Sequence, residues 1–129
     1  MTMARKITLR ELPDDYAVCK LAPEARIPAW ADGDGFLSIS RTPDELSIVC
    51  RSERVPPDVH AARDWRCLAL VGPFAFDETG IAVSVIAPLS DASIGIFLVA
   101  TFDTDYLLIQ GKDLEAGKRA LLAAGHTLR

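Results

Sequence analysis

The stretch Ile94–Gln110, IGIFLVATFDTDYLLIQ, most constrains what this chain can fold into. Two apolar runs, IGIFLVAT and DYLLIQ, are rich in β-branched and aromatic residues, which favour pleated, covered strands. Between them lies the polar knot Thr101-Phe102-Asp103-Thr104-Asp105. The pair therefore reads as a hairpin inside a covered sheet, with its polar end facing elsewhere. That knot carries two carboxylates, two hydroxyls and one ring, with no His, Lys or Cys beside it. Such a set suits binding of a small polar molecule better than catalysis.

The elements around the hairpin follow from local signals. Cys67–Val71 is an apolar strand ending at Gly72-Pro73. Thr79–Asp91 has many β-branched residues, yet Ile81, Val85 and Leu89 recur at i, i+4 and i+8, the period of a buried helix face. Asp77, Glu78 and Thr79, just ahead of the apolar run Gly80–Leu89, are good helix-start residues. Asp113 is a candidate N-cap for a second helix, Leu114–Ala124, with Leu114, Leu121 and Leu122 on one side and Glu115 opposite Lys118 and Arg119. Gly125 fits the position just past its end, and His126–Leu128 closes as a short strand. The order is βαββαβ, that of a ferredoxin-like α+β fold.

The first half gives shorter elements: strands at Ile7–Leu12 and Tyr16–Leu21, joined by the turn Pro13-Asp14-Asp15. Phe36–Arg41 and Leu46–Arg51 form a hairpin around Thr42-Pro43-Asp44-Glu45. Pro23 and Pro28 exclude a long helix over Ala22–Trp30, and Val59–Trp65 has no clear pattern. This half reads as a degenerate copy of the second. The expected division is residues 1–65 and residues 66–129.

A net charge of −4, with Arg and Lys scattered, argues against nucleic acid as a partner. The longest apolar run, Gly80–Leu89, is too short for a bilayer. Cys19, Cys50 and Cys67 lie far apart, with neither a CxxC nor a zinc spacing; each reads as a small core residue in a reducing cytoplasm. His60 and His126 form no metal pattern. Asp14/Asp15 and Asp32/Asp34 are accounted for by turns, and Trp30 and Trp65 by packing. No phosphate loop or nucleophile motif is present. No catalytic residue, metal ligand or cofactor is expected.

Several segments taken together resemble a known family. They are Gly72-Pro73, Thr79-Gly80-Ile81, Ala87-Pro88-Leu89, Ile94-Gly95-Ile96-Phe97, Thr101–Tyr106 (TFDTDY) and Ala124-Gly125-His126, preceded by LPDDYAVCKL, IPAW and ISRTPDELSIV. In this order they resemble the small bacterial proteins built from two tandem ACT domains, which are similar to half of the cytosolic arginine sensors of animals. The chain departs at Ala92-Ser93, where the family often has Ala-Gly.

The resemblance implies a non-enzymatic, cytoplasmic, amino-acid-binding regulatory protein. It implies a homodimer and a metabolic enzyme as a further partner. The implied site joins the helix start, Asp77, Thr79, Gly80, Ile81 and Ala82, to the knot Thr101, Phe102, Asp103, Thr104 and Asp105. Free amides at Thr79–Ala82 would suit a ligand carboxylate; Asp103 and Asp105 would suit an amino or cationic group. The alternatives are a protein-interaction module with a vestigial pocket and, least favoured, a small enzyme using Asp103 and Asp105.

Overall fold

The computed structural model describes residues 5–129. Strands run at β1 (Thr8–Glu11), β2 (Tyr16–Leu21), β3 (Ser38–Arg41), β4 (Leu46–Arg51), β5 (Ala61–Leu70), β6 (Ile96–Ala100), β7 (Asp105–Gln110) and β8 (Thr127–Leu128). The helices are α1 (Ile81–Asp91) and α2 (Leu114–Ala123), with 3-10 turns at Ala29–Ala31, Ser52–Arg54 and Gly111–Asp113. The chain divides into a unit of Pro13–Trp65 and a unit that joins the segment ending at Leu12 to Arg66–Arg129.

In the Pro13–Trp65 unit the strand order is β3-β4-β2 followed by the first half of β5. The β3–β4 hairpin pairs Ser38 with Val49 and Arg41 with Leu46. Its turn is held by the Thr42 hydroxyl, which accepts the N–H groups of Asp44 and Glu45 at 3.1 Å. The strand starts at Ser38 rather than Phe36, because the Phe36 N–H donates to the Tyr16 hydroxyl at 2.9 Å instead of to the ladder. The 3-10 turns Ala29–Ala31 and Ser52–Arg54 occupy the two crossovers where a ferredoxin-like module has helices. That is the form its degeneracy takes.

Strand β5 starts at Ala61, six residues before the expected Cys67. Its first half pairs Ala61 with Cys19, Ala62 with Val18 and Trp65 with Tyr16, with a register shift in between. Asp64 sits at the shift with φ 67°. A bulge there and the three consecutive exposed residues Ala62–Asp64 erase the alternation expected of a strand.

In the other unit the order is β6-β7-β5-β1-β8. The elements β5-α1-β6-β7-α2-β8 appear in the expected βαββαβ sequence. The sheet, however, holds an additional strand: β1 lies between β5 and β8. It pairs antiparallel to β5 (Leu9 with Leu70) and parallel to β8 (Leu9 with Leu128). The two helices cover one face. Leu9, Leu68, Leu70, Leu107 and Ile109 from the sheet meet Ile81, Val85, Leu89 and Leu121 from the helices. The Ile81/Val85/Leu89 row is thus buried as its spacing predicts, each side chain worth about 1.5–3 kcal/mol. Leu122 departs from expectation and is 52% exposed. The buried row of α2 runs instead through Leu114, Gly117 and Leu121, and Gly117 lets the helix sit close to Ile109.

Pro88 lies inside α1. It has no N–H, so the Ser84 carbonyl four residues earlier loses its helical partner. The buried His126 supplies the replacement: Nε2 lies 2.7 Å from the Ser84 oxygen, and Nδ1 accepts the Ile7 N–H at 3.1 Å. These partners fix the neutral tautomer with its proton on Nε2.

Candidate functional site

The site forms at one end of the C-terminal sheet, where the β5–α1 loop meets the β6–β7 turn. Two backbone-directed bonds staple these segments. Phe74 N–H donates to the Asp103 carbonyl at 2.8 Å, and the Thr104 hydroxyl donates to the Leu70 carbonyl at 2.6 Å. A Cβ on Gly72 would sit 3.0 Å from that Asp103 oxygen, so the close approach leaves little room for a side chain. The Gly72-Pro73 peptide is cis.

The turn itself is closed by Thr101, whose N–H and hydroxyl both donate to the Thr104 carbonyl, at 2.8 and 2.7 Å. Both threonine hydroxyl protons are therefore committed to carbonyls. Their lone pairs remain able to accept from a ligand, but they cannot donate to a ligand carboxylate.

The loop is braced by Glu78. Its Oε1 accepts the Ala75 N–H at 2.9 Å, and its own N–H returns to the Ala75 carbonyl at 3.1 Å. Oε2 pairs with Arg5 Nη2 at 3.0 Å, and Arg5 Nη1 also reaches the Thr79 carbonyl at 3.4 Å. The Ala75 N–H, and then Arg5, hold the Glu78 carboxyl below its ordinary range. Helix α1 starts at Ile81, two residues later than expected. Gly80 is its N-cap, at φ 83° and without a side-chain capping bond. A left-handed residue is needed there, and glycine supplies it. The expected capping by Asp77 and Thr79 gives way to this turn. The first-turn N–H groups have no intrahelical acceptor.

A cleft of about 200 Å³ lies between these pieces, lined by Phe74, Ala75, Phe76, Glu78, Ile81 and Ala100 through Asp105. Of the anticipated residues, the fold brings Ile81, Thr101, Phe102, Asp103, Thr104 and Asp105 together. Asp77, Thr79, Gly80 and Ala82 do not line the cleft; Asp77 and Thr79 face solvent beside it. Phe74, Ala75, Phe76, Glu78 and Ala100 were not anticipated. The Phe-Ala-Phe run after Gly72-Pro73, apolar residues in a polar loop, is the sequence signal for Phe74, Ala75 and Phe76; Glu78 and Ala100 carry none. Phe76 and Phe102 meet edge-to-face with centroids 4.9 Å apart, though they are 79% and 78% exposed. Partial burial pushes the Asp105 carboxyl above its ordinary value. A second hollow of about 400 Å³ lies beside the same turn, lined by Gly72, Pro73, Thr101 through Thr104, and Tyr106.

Chemically, the first cleft offers three carboxylates, an aromatic pair and a helix start. A cation can meet the carboxylates and ring faces, and a carboxylate can meet the helix amides. Among the described residues, no group of His, Cys, Asp and Glu is arranged to hold a metal, and no helix is long and apolar enough to cross a membrane.

An α+β module with the element order βαββαβ and such a cleft between its first helix and central hairpin defines a ferredoxin-like class of domain. Residues 60–123 match the ACT domain, and residues 14–58 match a separate family described as an N-terminal domain. The chain thus carries an ACT domain over residues 60–123. It is 53% identical to the crystal structure of protein Atu0741 from Agobacterium tumefaciens, with a TM-score of 0.93, covering 98% of this chain and 94% of that one. It is 30% identical to the cytosolic arginine sensor for mTORC1 subunit 1 of Bos taurus, over 61% of this chain and 27% of that protein. The chain spans about half or less of the length of the curated relatives it matches. The ligand-free regulatory subunit of aspartate kinase from Thermus thermophilus shares the fold, at TM-score 0.60 and 12% identity.

Proposed function

We propose that this chain is a non-enzymatic regulatory protein that binds a basic amino acid, arginine foremost, in the cleft between Phe76, Phe102, Asp103 and Asp105. The observation that carries this reading is the acidic and aromatic lining of that cleft, set against a helix start whose amides are free for a carboxylate. The name of the bovine relative, an arginine sensor, supports the same ligand class. Asp105 and Asp103 take the cationic end, the Phe76–Phe102 pair covers its apolar part, and the α1 amides near Ile81 take the carboxylate. Thr101 and Thr104 accept further N–H groups. The protein acts in the cytoplasm as a homodimer and passes the ligand state to a metabolic enzyme.

Thermal denaturation in the presence of each of the twenty amino acids tests it. A ligand at 100 times its Kd should stabilise by about 2.7 kcal/mol, and Asp105→Asn should remove that gain. Stabilisation by none of them, or by acidic ones alone, sinks the reading.

A second reading is favoured by the exposure of Phe76 and Phe102. Two large rings held edge-to-face in solvent also suit a protein-interaction surface with a vestigial pocket. Capture of a metabolic enzyme that is lost on Phe102→Ala and unaffected by Asp105→Asn would favour it over ligand binding.

A further inference from the structure

In the Pro13–Trp65 unit, Cys19 on β2 and Cys50 on β4 are both free and buried, 1% and 0% exposed. Ala17 pairs with Cys50 and Cys19 with Ile48, so the two thiols share one sheet face, diagonally across adjacent strands. Arg54 follows in the next 3-10 turn. Its Nη1 donates to the Asp34 carbonyl at 2.8 Å, while Nε and Nη2 are buried without a close partner. Arg63 is anchored beside them, donating to the Pro56 carbonyl at 2.9 Å. A half-buried guanidinium with two buried, idle donors beside a thiol is an unusual arrangement, because a neutral thiol gives it little to bond. A thiolate would.

We propose that Cys19 and Cys50 are a peroxide-responsive dithiol, with Cys50 the nucleophile, Cys19 the resolving thiol and Arg54 the cation that holds the thiolate. Electrostatics agree. The thiol of Cys19 hydrogen-bonds to Cys50, and with Arg54 and Arg63 this draws Cys50 below its ordinary value against the opposing effect of burial. Cys19 is correspondingly raised, first by the same hydrogen bond and then by burial. Cys67, in the other unit, lacks this arrangement; burial pushes it up to about 12.

The chemistry balances with hydrogen peroxide as oxidant. The Cys50 thiolate attacks one peroxide oxygen, the O–O bond breaks, and hydroxide leaves, giving a sulfenic acid. The Cys19 sulfur, giving up its proton, then displaces the hydroxyl of that sulfenic acid, and the pair leaves as water. Two thiols lose two electrons and two protons, and peroxide becomes two waters. Access comes through the thin cover of this face. Where a helix would shield it, Val55, Val59, Trp30 and Ala31 do, carried on 3-10 turns and loops, and such segments open at low free energy. Diagonal neighbours stand about 7–8 Å apart at Cα, beyond the usual disulfide span of about 4.4–6.8 Å. The bond therefore draws β2 and β4 out of their resting register, and a strained bond of this kind is readily reduced again.

The test uses the full chain carrying Cys67→Ser, treated with hydrogen peroxide near neutral pH and read by intact mass and thiol count. The expected product has lost two hydrogens and both thiols, and dithiothreitol restores them. With Cys19→Ser added, the product should instead gain oxygen at Cys50. With Arg54→Gln added, oxidation should slow about fivefold, because raising the Cys50 thiol by about one pKa unit from about 7 cuts its thiolate fraction from about a half to about a tenth near neutral pH. Each variant is first checked for native circular dichroism. Two intact thiols in the folded Cys67→Ser chain, a disulfide only between chains, or a rate unchanged by Arg54→Gln would each overturn the proposal.

Discussion

His126 and Pro88 are joined through one carbonyl. Pro88 orphans the Ser84 oxygen inside α1, and His126 Nε2 occupies it at 2.7 Å while Nδ1 holds the Ile7 N–H. His126→Ala would strand two buried backbone groups, and we expect a loss of about 2–4 kcal/mol in chemical denaturation. In a Pro88→Ala background the helix recovers its own N–H for Ser84, so the same truncation should cost less; equal costs in both backgrounds would break the link. Asp105 presents the opposite case. Its folded pKa is raised, so the folded state holds the proton more tightly than the unfolded chain does. Stability without ligand falls as pH rises from the unfolded pKa through the folded one. Asp105→Asn should thus leave the ligand-free protein as stable at neutral pH, or slightly more so, while ligand stabilisation disappears. In the wild type, affinity for a cationic ligand should weaken as pH drops through the raised value, which calorimetry at stepped pH would read.

At the scale of elements, legibility followed the strength of the local pattern. The β3–β4 hairpin, β7, α2 and the buried row of α1 could be read because apolar spacing and turn chemistry agreed there. The first half of β5 could not, because its exposed Ala62–Asp64 and the bulge at Asp64 erase alternation. The knot Thr101–Asp105 was legible as a polar cluster. Its hydrogen-bond duties, and the arrival of Phe74, Phe76 and Glu78 from a loop, depend on tertiary contacts that spacing does not encode. The departure at Ser93 turned out to be conformational: it adopts φ 61°, a region that favours glycine. Ser93→Gly should relieve this strain and raise stability by up to about 1 kcal/mol, measurable as a higher Tm, with no change at the cleft. A lower Tm would show that Ser93 contributes more by its side chain than it costs in backbone strain.

At the scale of the whole chain, the position of β1 decides what can stand alone. Residues 66–129 contain every element of the βαββαβ sequence, yet the strand between β5 and β8 is supplied by Thr8–Glu11. A fragment of residues 66–129 should therefore lack a cooperative unfolding transition, and adding a peptide spanning residues 5–12 should restore one. Cooperative unfolding of the fragment by itself would contradict this. The same placement sets an order of events during synthesis. The Pro13–Trp65 unit is contiguous and can close on itself as soon as it leaves the ribosome. Strand β1 emerges before it but must wait for Leu68–Leu70, and then for Thr127–Leu128, to find both neighbours. Closing that long loop costs chain entropy, and the cost grows only slowly with length. If the early unit has already compacted, the ends to be joined are held nearer than a free coil would leave them. Strand β1 is thus made before the Pro13–Trp65 unit yet completed after it, once both of its neighbours have been synthesised.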